Sequence, residues 1–153
     1  MNYYDEIKTT LVKNEVTRKI KDYSKNKSDL NAYYEVGRLL VEAQGGEERA
    51  KYGNGLIKEY SKMLQEELGK GYTATGLKRM RQFYMIVQKG AALRHQLSWT
   101  HYRCLLSIEN SQEINYYINI AISQNLSYRD LEERIKSNEY ERIGYKEELE
   151  QQK

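Results

Sequence analysis

The sequence of 153 residues contains no proline, only one cysteine and no long apolar run. Without proline, helices can continue without the break that its ring and missing N–H impose. The single cysteine, Cys104, excludes an internal disulfide framework and fits a reducing compartment. The N-terminus has no apolar core of a signal peptide, and nothing approaches a membrane span. A cytoplasmic location without a membrane partner is therefore expected.

The side chains from which catalytic and metal sites are usually built are also scarce. The two histidines, His95 and His101, are six residues apart, lack the one-face helical spacing of a zinc site and have no Cys/His cluster beside them. Cys104 lies in an apolar stretch, which favours a core position over a nucleophile. The glycines around Lys70 lack the spacing of a phosphate loop. The sequence predicts no catalytic residue, metal or cofactor.

The charges are unevenly distributed along the chain. The segment 68–108 holds seven of the 25 basic residues and none of the 22 acidic ones. A basic centre between acidic ends favours one surface that attracts a polyanion. The alternative is a chance cluster on solvated helix faces.

Tyrosine is abundant, with 15 residues against one Phe and one Trp. Because tyrosine buries a ring and keeps a polar tip, most of these side chains are expected at the edge of the core. Some could instead stack on bases or form a protein interface.

Apolar residues recur at helical spacing and no useful alternating run occurs, so the predicted fold class is all-α. The length suits one domain or two small helical subdomains. We predict one helical domain over 1–143 and a polar tail over 144–153. The first helix, 3–23, would bury Ile7, Leu11, Val16 and Ile20. The remaining predicted helices cover about 29–43, 56–68, 77–87, 99–108, 114–124 and 128–143.

Several residues are predicted to end or begin these helices. Ser28 would cap the second helix, which Gly45 and Gly46 end. Gly37 inside that helix costs about 1 kcal/mol relative to alanine, which a close helix–helix contact would explain. Ser98 and Ser127 would cap later helices.

The segment 56–87 has the pattern of a helix-turn-helix. Gly69 would end its first helix, and Thr73 or Thr75 would cap its second. In the second helix, a stripe of mainly apolar residues would be buried, and polar residues with Met85 would lie on the opposite side. The buried stripe is Leu77, Met80, Tyr84 and Val87, and the opposite side carries Lys78, Arg81, Gln82 and Met85, with Arg79 at the flank.

In this interpretation, the second helix enters a DNA groove with Thr75, Lys78, Arg79 and Gln82. Arginine and glutamine can make bidentate contacts to guanine and adenine. The turn would touch phosphates through its amides, and Tyr72 would either contact a phosphate or plug the core. Other basic residues would neutralise phosphates. The full predicted nucleic-acid-binding set is Lys70, Tyr72, Thr73, Thr75, Lys78, Arg79, Arg81, Gln82, Lys89 and Arg94.

Five motifs between residues 25 and 143 resemble the N-terminal domain of YhcG-type PDDEXK nucleases, a family known as a domain of unknown function. They are YEVGR at 34–38, RAKYG at 49–53, GKGYT at 69–73, LKRMRQFY at 77–84 and LSWTHY at 97–102. The chain departs from the family pattern where Tyr34 and Leu126 replace tryptophan, and where an arginine near 114–115 is missing.

This resemblance implies that catalysis lies in a separate C-terminal domain, which the chain does not contain. That chemistry needs an Asp and an Asp/Glu-x-Lys on adjacent strands that hold a divalent metal. Asp5 with Glu6, Ile7 and Lys8 imitates the motif, but the stretch falls on a predicted helix, and its charged side chains are expected to be solvated.

A second, looser resemblance covers 97–135. LSWTHYRCLL at 97–106 and LSYRDLE at 126–132 are similar to the region after the helix-turn-helix of ParB-type partition proteins. It implies a helical DNA-binding module by analogy of fold.

The sequence thus predicts a non-catalytic module that binds DNA, most simply double-stranded, and that targets a nuclease domain. The alternative is a protein-interaction or inhibitory module of the phage or mobile-element type, which forms a homo-oligomer or binds a protein partner through its tyrosine-rich faces. A third hypothesis is binding of RNA or single strands.

Overall fold

The computed structural model describes residues 2–20, 25–50 and 55–144, and it is all-α as predicted. The helices are α1 (Tyr3–Ile20), α2 (Lys25–Ala43), α3 (Glu47–Ala50), α4 (Gly55–Leu68), α5 (Ala74–Gln88), α6 (Trp99–Leu105), α7 (Ser111–Ser123) and α8 (Tyr128–Lys136). A further helical stretch covers 139–144, and no strand occurs among the described residues.

The chain forms two compact units that divide after Gln88. Helices α1 to α5 belong to unit 1, and α6 to α8 belong to unit 2. The predicted helix-turn-helix segment, 56–87, therefore lies entirely in unit 1. Most of the predicted tail, 145–153, lies outside the described residues.

Helix α1 buries Ile7 and Leu11 as predicted, but the rest of its buried stripe differs from the prediction, and the side chain of the predicted Ile20 lies outside the part that the structure describes. Tyr4, Ile7, Leu11 and Asn14 are buried at spacings of three, four and three residues, which is the repeat of one helix face. The prediction that Val16 is buried was wrong, since Val16 is 52% exposed. The polar Asn14 takes the inward position because Asp29 and Ser28 of α2 satisfy its amide: its Nδ2 donates to Asp29 Oδ1 at 3.0 Å, and its Oδ1 accepts from the Ser28 hydroxyl.

Helix α2 begins earlier than predicted. It starts at Lys25, so Ser28 lies inside the helix and the predicted cap at Ser28 was wrong. The Ser28 hydroxyl bonds Asn14 instead of its own helix terminus. The predicted end is confirmed: Gly45 and Gly46 have φ of +91° and +110°, and the Gly46 amide donates to the Val41 carbonyl at 2.9 Å.

The glycine inside α2 permits the close helix contact that the sequence led us to expect. A Cβ atom on Gly37 would lie 2.2 Å from the Met80 carbonyl oxygen and 2.7 Å from the Tyr84 Cβ, both in α5. Helix α5 also buries Leu77, Phe83 and Ile86. This tight packing fixes which face of α5 is turned inward.

Unit 2 is organised by capped helices. Ser98 caps α6, and His101 completes the box: Ser98 Oγ accepts from the His101 amide at 3.3 Å, while His101 Nδ1 accepts from the Ser98 amide at 3.2 Å. The His101 Nε2 lies 2.8 Å from the Leu126 carbonyl oxygen, so this side chain also ties α6 to the turn before α8. Ser127 caps α8 as predicted.

The last predicted helix, 128–143, is interrupted. Helix α8 ends at Lys136, and Asn138 has φ of +56°, a conformation that asparagine adopts more readily than most residues. Leu131 is buried, whereas Ile135 is only half-buried. Tyrosines lie mainly at the core edge: Tyr116 is half-buried, with its ring 5.3 Å from that of the buried Tyr117.

Candidate nucleic-acid interface

A five-residue turn, 69–73, joins α4 to α5. Gly69 ends α4 as predicted, with φ of +112° and its amide donating to the Gln65 carbonyl at 3.1 Å. Thr73 caps α5, which decides between the two predicted caps: its Oγ1 accepts from the Gly76 amide at 3.1 Å. Because the Thr73 oxygen accepts in this bond, its O–H can still donate to an incoming acceptor.

Two hydrogen bonds fix the turn to the rest of unit 1. The Ser61 hydroxyl donates to the Tyr72 carbonyl oxygen at 2.8 Å and accepts from Gln65 Nε2 at 2.8 Å. The Tyr72 hydroxyl donates to the Glu15 carboxylate of α1. Tyr72 is half-buried and its polar tip is engaged within the fold. Of its two predicted roles, the structure therefore favours the plug that holds the turn.

Four polar side chains share one face of α5. Thr75, Lys78, Arg79 and Gln82 are spaced by three, one and three residues, so they cover one face over the first two turns. Thr75 is exposed and the other three are half-buried. Among the described residues, no carboxylate forms an ion pair with Lys78 or Arg79. The two cations of the face that was predicted to enter a groove are therefore not neutralised by a described carboxylate, and the face is partly exposed.

Arg81 does not belong to this surface, which corrects its predicted placement opposite the core. It is only 9% exposed, and its Nη1 donates to Gln44 Oε1 at 3.0 Å. Burial lowers the pKa of the Arg81 guanidinium. Met85, also predicted on the outer side, packs with Val41 and Ala50. These two residues widen the inward face of α5, and the buried Arg81 is unavailable to a phosphate.

The other predicted basic residues fall in two places. Lys70 is exposed in the turn of unit 1. Lys89 and Arg94 are exposed in unit 2, on the connector before α6. Asn115 and Tyr102 hold this connector: Asn115 bonds Gly90 O and Ala92 N at 2.9 and 2.8 Å, and the Tyr102 hydroxyl accepts from the Arg94 amide at 2.7 Å.

Sequence reasoning missed two lysines on α4. Lys58 and Lys62 are exposed and one turn apart, and both line an open groove of about 390 Å³ beside Ala74, the first residue of α5. They lie outside the acid-free segment 68–108 and among glutamates, so the linear charge pattern did not indicate them. Only the packing of α4 against α5 brings them next to the turn.

The described residues contain no cluster of His, Cys, Asp or Glu arranged to hold a metal ion. Cys104 is half-buried, and burial raises the pKa of its thiol, which disfavours the nucleophilic thiolate. The nuclease-like triplet at 6–8 lies in α1, where Ile7 is buried and Lys8 pairs with Glu67. No helix of the described residues is long and apolar enough to cross a membrane.

Comparison with known proteins shows to which family this chain belongs. The DUF1016 N-terminal domain matches residues 7–142, which is most of the sequence. The chain belongs to the DUF1016 N-terminal domain family. It is also 32% identical over 143 aligned residues to a protein named Putative nuclease YhcG from Escherichia coli (strain K12), and the match covers 72% of this chain. The resemblance to the N-terminal domain of YhcG-type proteins is thereby confirmed.

The match covers only 38% of the length of that relative, and a nuclease domain is not part of the matched region. No solved structure matches the chain. Within the DUF1016 N-terminal domain, several motif residues serve packing or capping: Gly37 meets Met80, Arg81 is buried, and Ser98 with His101 caps α6. In this chain, the motifs quoted for the resemblance thus include residues that build the fold.

Proposed function

We propose that this DUF1016 N-terminal domain is a non-catalytic module that binds double-stranded DNA through α4, the 69–73 turn and α5, arranged as a helix-turn-helix. One observation carries the proposal. Thr75, Lys78, Arg79 and Gln82 form one partly exposed face at the start of α5, and no described carboxylate pairs with its two cations. A DNA-reading helix presents its N-terminal residues to base edges in this way.

Each group on the proposed surface has a chemical role. Arg79 suits a bidentate contact to guanine and Gln82 one to adenine, whereas Lys78 and Lys70 suit phosphates. The Thr73 hydroxyl can donate to a phosphate while it caps α5. These contacts divide between affinity, supplied by the lysines, and sequence preference, supplied by Arg79 and Gln82.

Four other predicted contact residues have different roles in the proposal. Arg81 is left out because it is buried. Tyr72 positions the turn through its hydrogen bond to Glu15. Lys89 and Arg94 remain proposed phosphate contacts of unit 2, supported by their exposure on a connector that Asn115 and Tyr102 hold in place.

The name of the relative suggests the context of this module. Because the chain matches 38% of a protein named as a nuclease, we propose that the domain brings a separate catalytic domain to DNA in the cytoplasm. The chain itself then needs no metal or cofactor for its part.

A protein-interaction role is the second candidate, and one feature of α1 favours it. Val12 and Val16 are 37% and 52% exposed and lie one turn apart, so they form a small apolar patch on the helix. We propose a second copy of the chain as the occupant in that case. The two valines would then be buried in a symmetric dimer.

Titration of a fluorescent mixed-sequence duplex at several salt concentrations, beside light scattering of the protein alone, separates the two candidates. The two phosphate contacts from Lys70 and Lys78 predict a slope of log affinity against log salt near −2 or steeper. Absence of binding at low salt, together with a clean dimer that Val12→Lys dissociates, would exclude DNA binding and support the second candidate.

A further inference from the structure

The groove beside the start of α5 has a basic edge that the sequence did not reveal. Lys58 and Lys62 project from α4 one turn apart, which corresponds to about 6 Å along the helix axis. Both side chains are exposed, and no ion pair of either is recorded among the described residues. The groove measures about 390 Å³ and is lined by Lys58, Ser61, Lys62, Gln65, Glu66 and Ala74.

The acidic groups of α4 limit this charge without cancelling it. Glu67 pairs with Lys8 of α1, and this pairing lowers the pKa of the Glu67 carboxyl. Glu59 is exposed on α4 but does not line the groove, whereas Glu66 does. The groove therefore carries two ammonium groups against one carboxylate.

The polar groups deeper in the groove are already engaged in holding the turn. Ser61 is buried and donates to the Tyr72 carbonyl, and Gln65 donates to Ser61. These bonds engage both side chains and leave the two lysines as the cationic groups that can meet a ligand. Two ammonium groups on flexible stems along an open surface suit a repeating anion.

We propose that Lys58 and Lys62 form a second contact line on the same DNA, in which they bind successive phosphates of one strand while α5 lies in the adjacent groove. This inference rests on the proposed function, because the duplex must first meet the α5 face. The groove opens beside Ala74, one residue before Thr75, so a backbone that borders the groove read by α5 passes next to both lysines. The first helix of a helix-turn-helix crosses the DNA backbone in a comparable position.

This contact line supplies affinity without sequence information. Each ammonium that replaces a counterion contributes about one to the steepness of the salt dependence, whatever base lies nearby. Glu66, by contrast, faces the same backbone with a like charge and weakens binding. Lysines and glutamate thus make opposite contributions that can be measured separately.

The test is the salt dependence of binding of the full chain to two duplexes of unrelated sequence. We expect Lys58→Ala/Lys62→Ala to make the slope shallower by about 2 on both duplexes. When the salt is raised from 50 to 200 mM, the fold-loss of affinity should then be roughly tenfold smaller for this variant than for wild type. Lys58→Arg/Lys62→Arg should keep the wild-type slope, and Glu66→Gln should tighten binding at low salt.

The control is Lys27→Ala/Lys136→Ala, which removes the same charge from exposed positions on α2 and α8. It should leave the slope close to wild type. If wild type binds but the Lys58/Lys62 variant keeps its slope, this inference is overturned and the α5 interface survives. If wild type binds neither duplex, both are overturned. If the slope becomes as shallow in the control as in the Lys58/Lys62 variant, the effect is one of general charge, and the inference is also overturned.

Discussion

Gly37 of α2 lies so close to Met80 of α5 that a Cβ atom on residue 37 would sit 2.2 Å from the Met80 carbonyl oxygen. The two helices can approach this closely only because residue 37 has no side chain. The contact sets the rotation of α5 about its own axis. It thereby determines that Thr75, Lys78, Arg79 and Gln82 are left on an accessible face.

Replacement of this glycine is expected to separate the helices. Gly37→Ala should lower the free energy of unfolding by about 1–3 kcal/mol, because overpacking outweighs the better helix propensity of alanine. Gly55→Ala is the matched control, since a Cβ at residue 55 would meet no atom within 4 Å. Urea denaturation followed by circular dichroism measures both. Equal stability of the two variants would contradict the close packing.

Arg81 and its neighbour Arg79 provide a comparison of a buried and an accessible arginine. Arg81→Ala should lower the free energy of unfolding by about 1–3 kcal/mol, because it removes a buried side chain that bonds Gln44. Arg79→Ala should change stability by about 0.5 kcal/mol or less and weaken DNA binding. Thermal and urea denaturation of both variants measure the two changes in stability. An Arg81→Ala protein as stable as wild type would show that this side chain is not part of the core.

The turn depends on Ser61, whose hydroxyl bonds the Tyr72 carbonyl oxygen at 2.8 Å. Ser61→Ala should destabilise unit 1 by about 1–3 kcal/mol, since a buried acceptor loses its donor and Gln65 loses an acceptor. Ser123→Ala, at an exposed position in α7, should be neutral. Hydrogen exchange of the amides of 69–73 should accelerate in the first variant only. Unchanged exchange would show that the turn is held by other contacts.

Unit 2 offers a test in alkaline solution. The Tyr116 hydroxyl donates to Glu139 Oε2 at 2.7 Å, and burial, followed by this bond and the Glu139 charge, raises the pKa of Tyr116 to about 12. A raised pKa in the folded state means that the contribution is complete below the ordinary tyrosine value of about 10 and is lost as pH rises towards 12.

Tyr116→Phe should therefore be less stable than wild type at pH 8, by about 1 kcal/mol for the lost hydrogen bond. This difference should shrink as the pH rises from about 10 to 12, where the wild-type contribution disappears. Tyr128→Phe, at an exposed ring, serves as the control. Urea midpoints across this pH range provide the measurement, and a pH-independent difference between Tyr116→Phe and wild type would contradict the linkage.

The features that the sequence predicted correctly depend on chemistry within a few residues. Gly69 ends α4, Thr73 caps α5, and Ser98 and Ser127 cap α6 and α8, each through bonds to amides or carbonyls three or four positions away. Such signals are visible in a linear sequence because both partners lie in the same short segment. The helix boundaries around the turn followed from them.

The features that the sequence did not predict depend on partners far along the chain. Arg81 is buried because Gln44, 37 positions earlier, accepts its hydrogen bond. Asn14 takes an inward position because Asp29 satisfies it. A polar residue reads as a surface residue until its partner is known, so the inner face of α5 was drawn too narrow and that of α1 was displaced. Lys58 and Lys62 were missed because only the packing of α4 against α5 brings them beside Ala74.

The central claim is that the accessible face of α5 binds the DNA, and the salt dependence of the Lys78→Ala/Arg79→Ala variant tests it most directly. With Lys27→Ala/Lys136→Ala as the charge-matched control and circular dichroism to verify folding, the account predicts weaker binding and a slope shallower by about 1 for the α5 variant alone, because Lys78 contacts a phosphate and Arg79 a base. An affinity and slope equal to those of wild type in the folded α5 variant would contradict it.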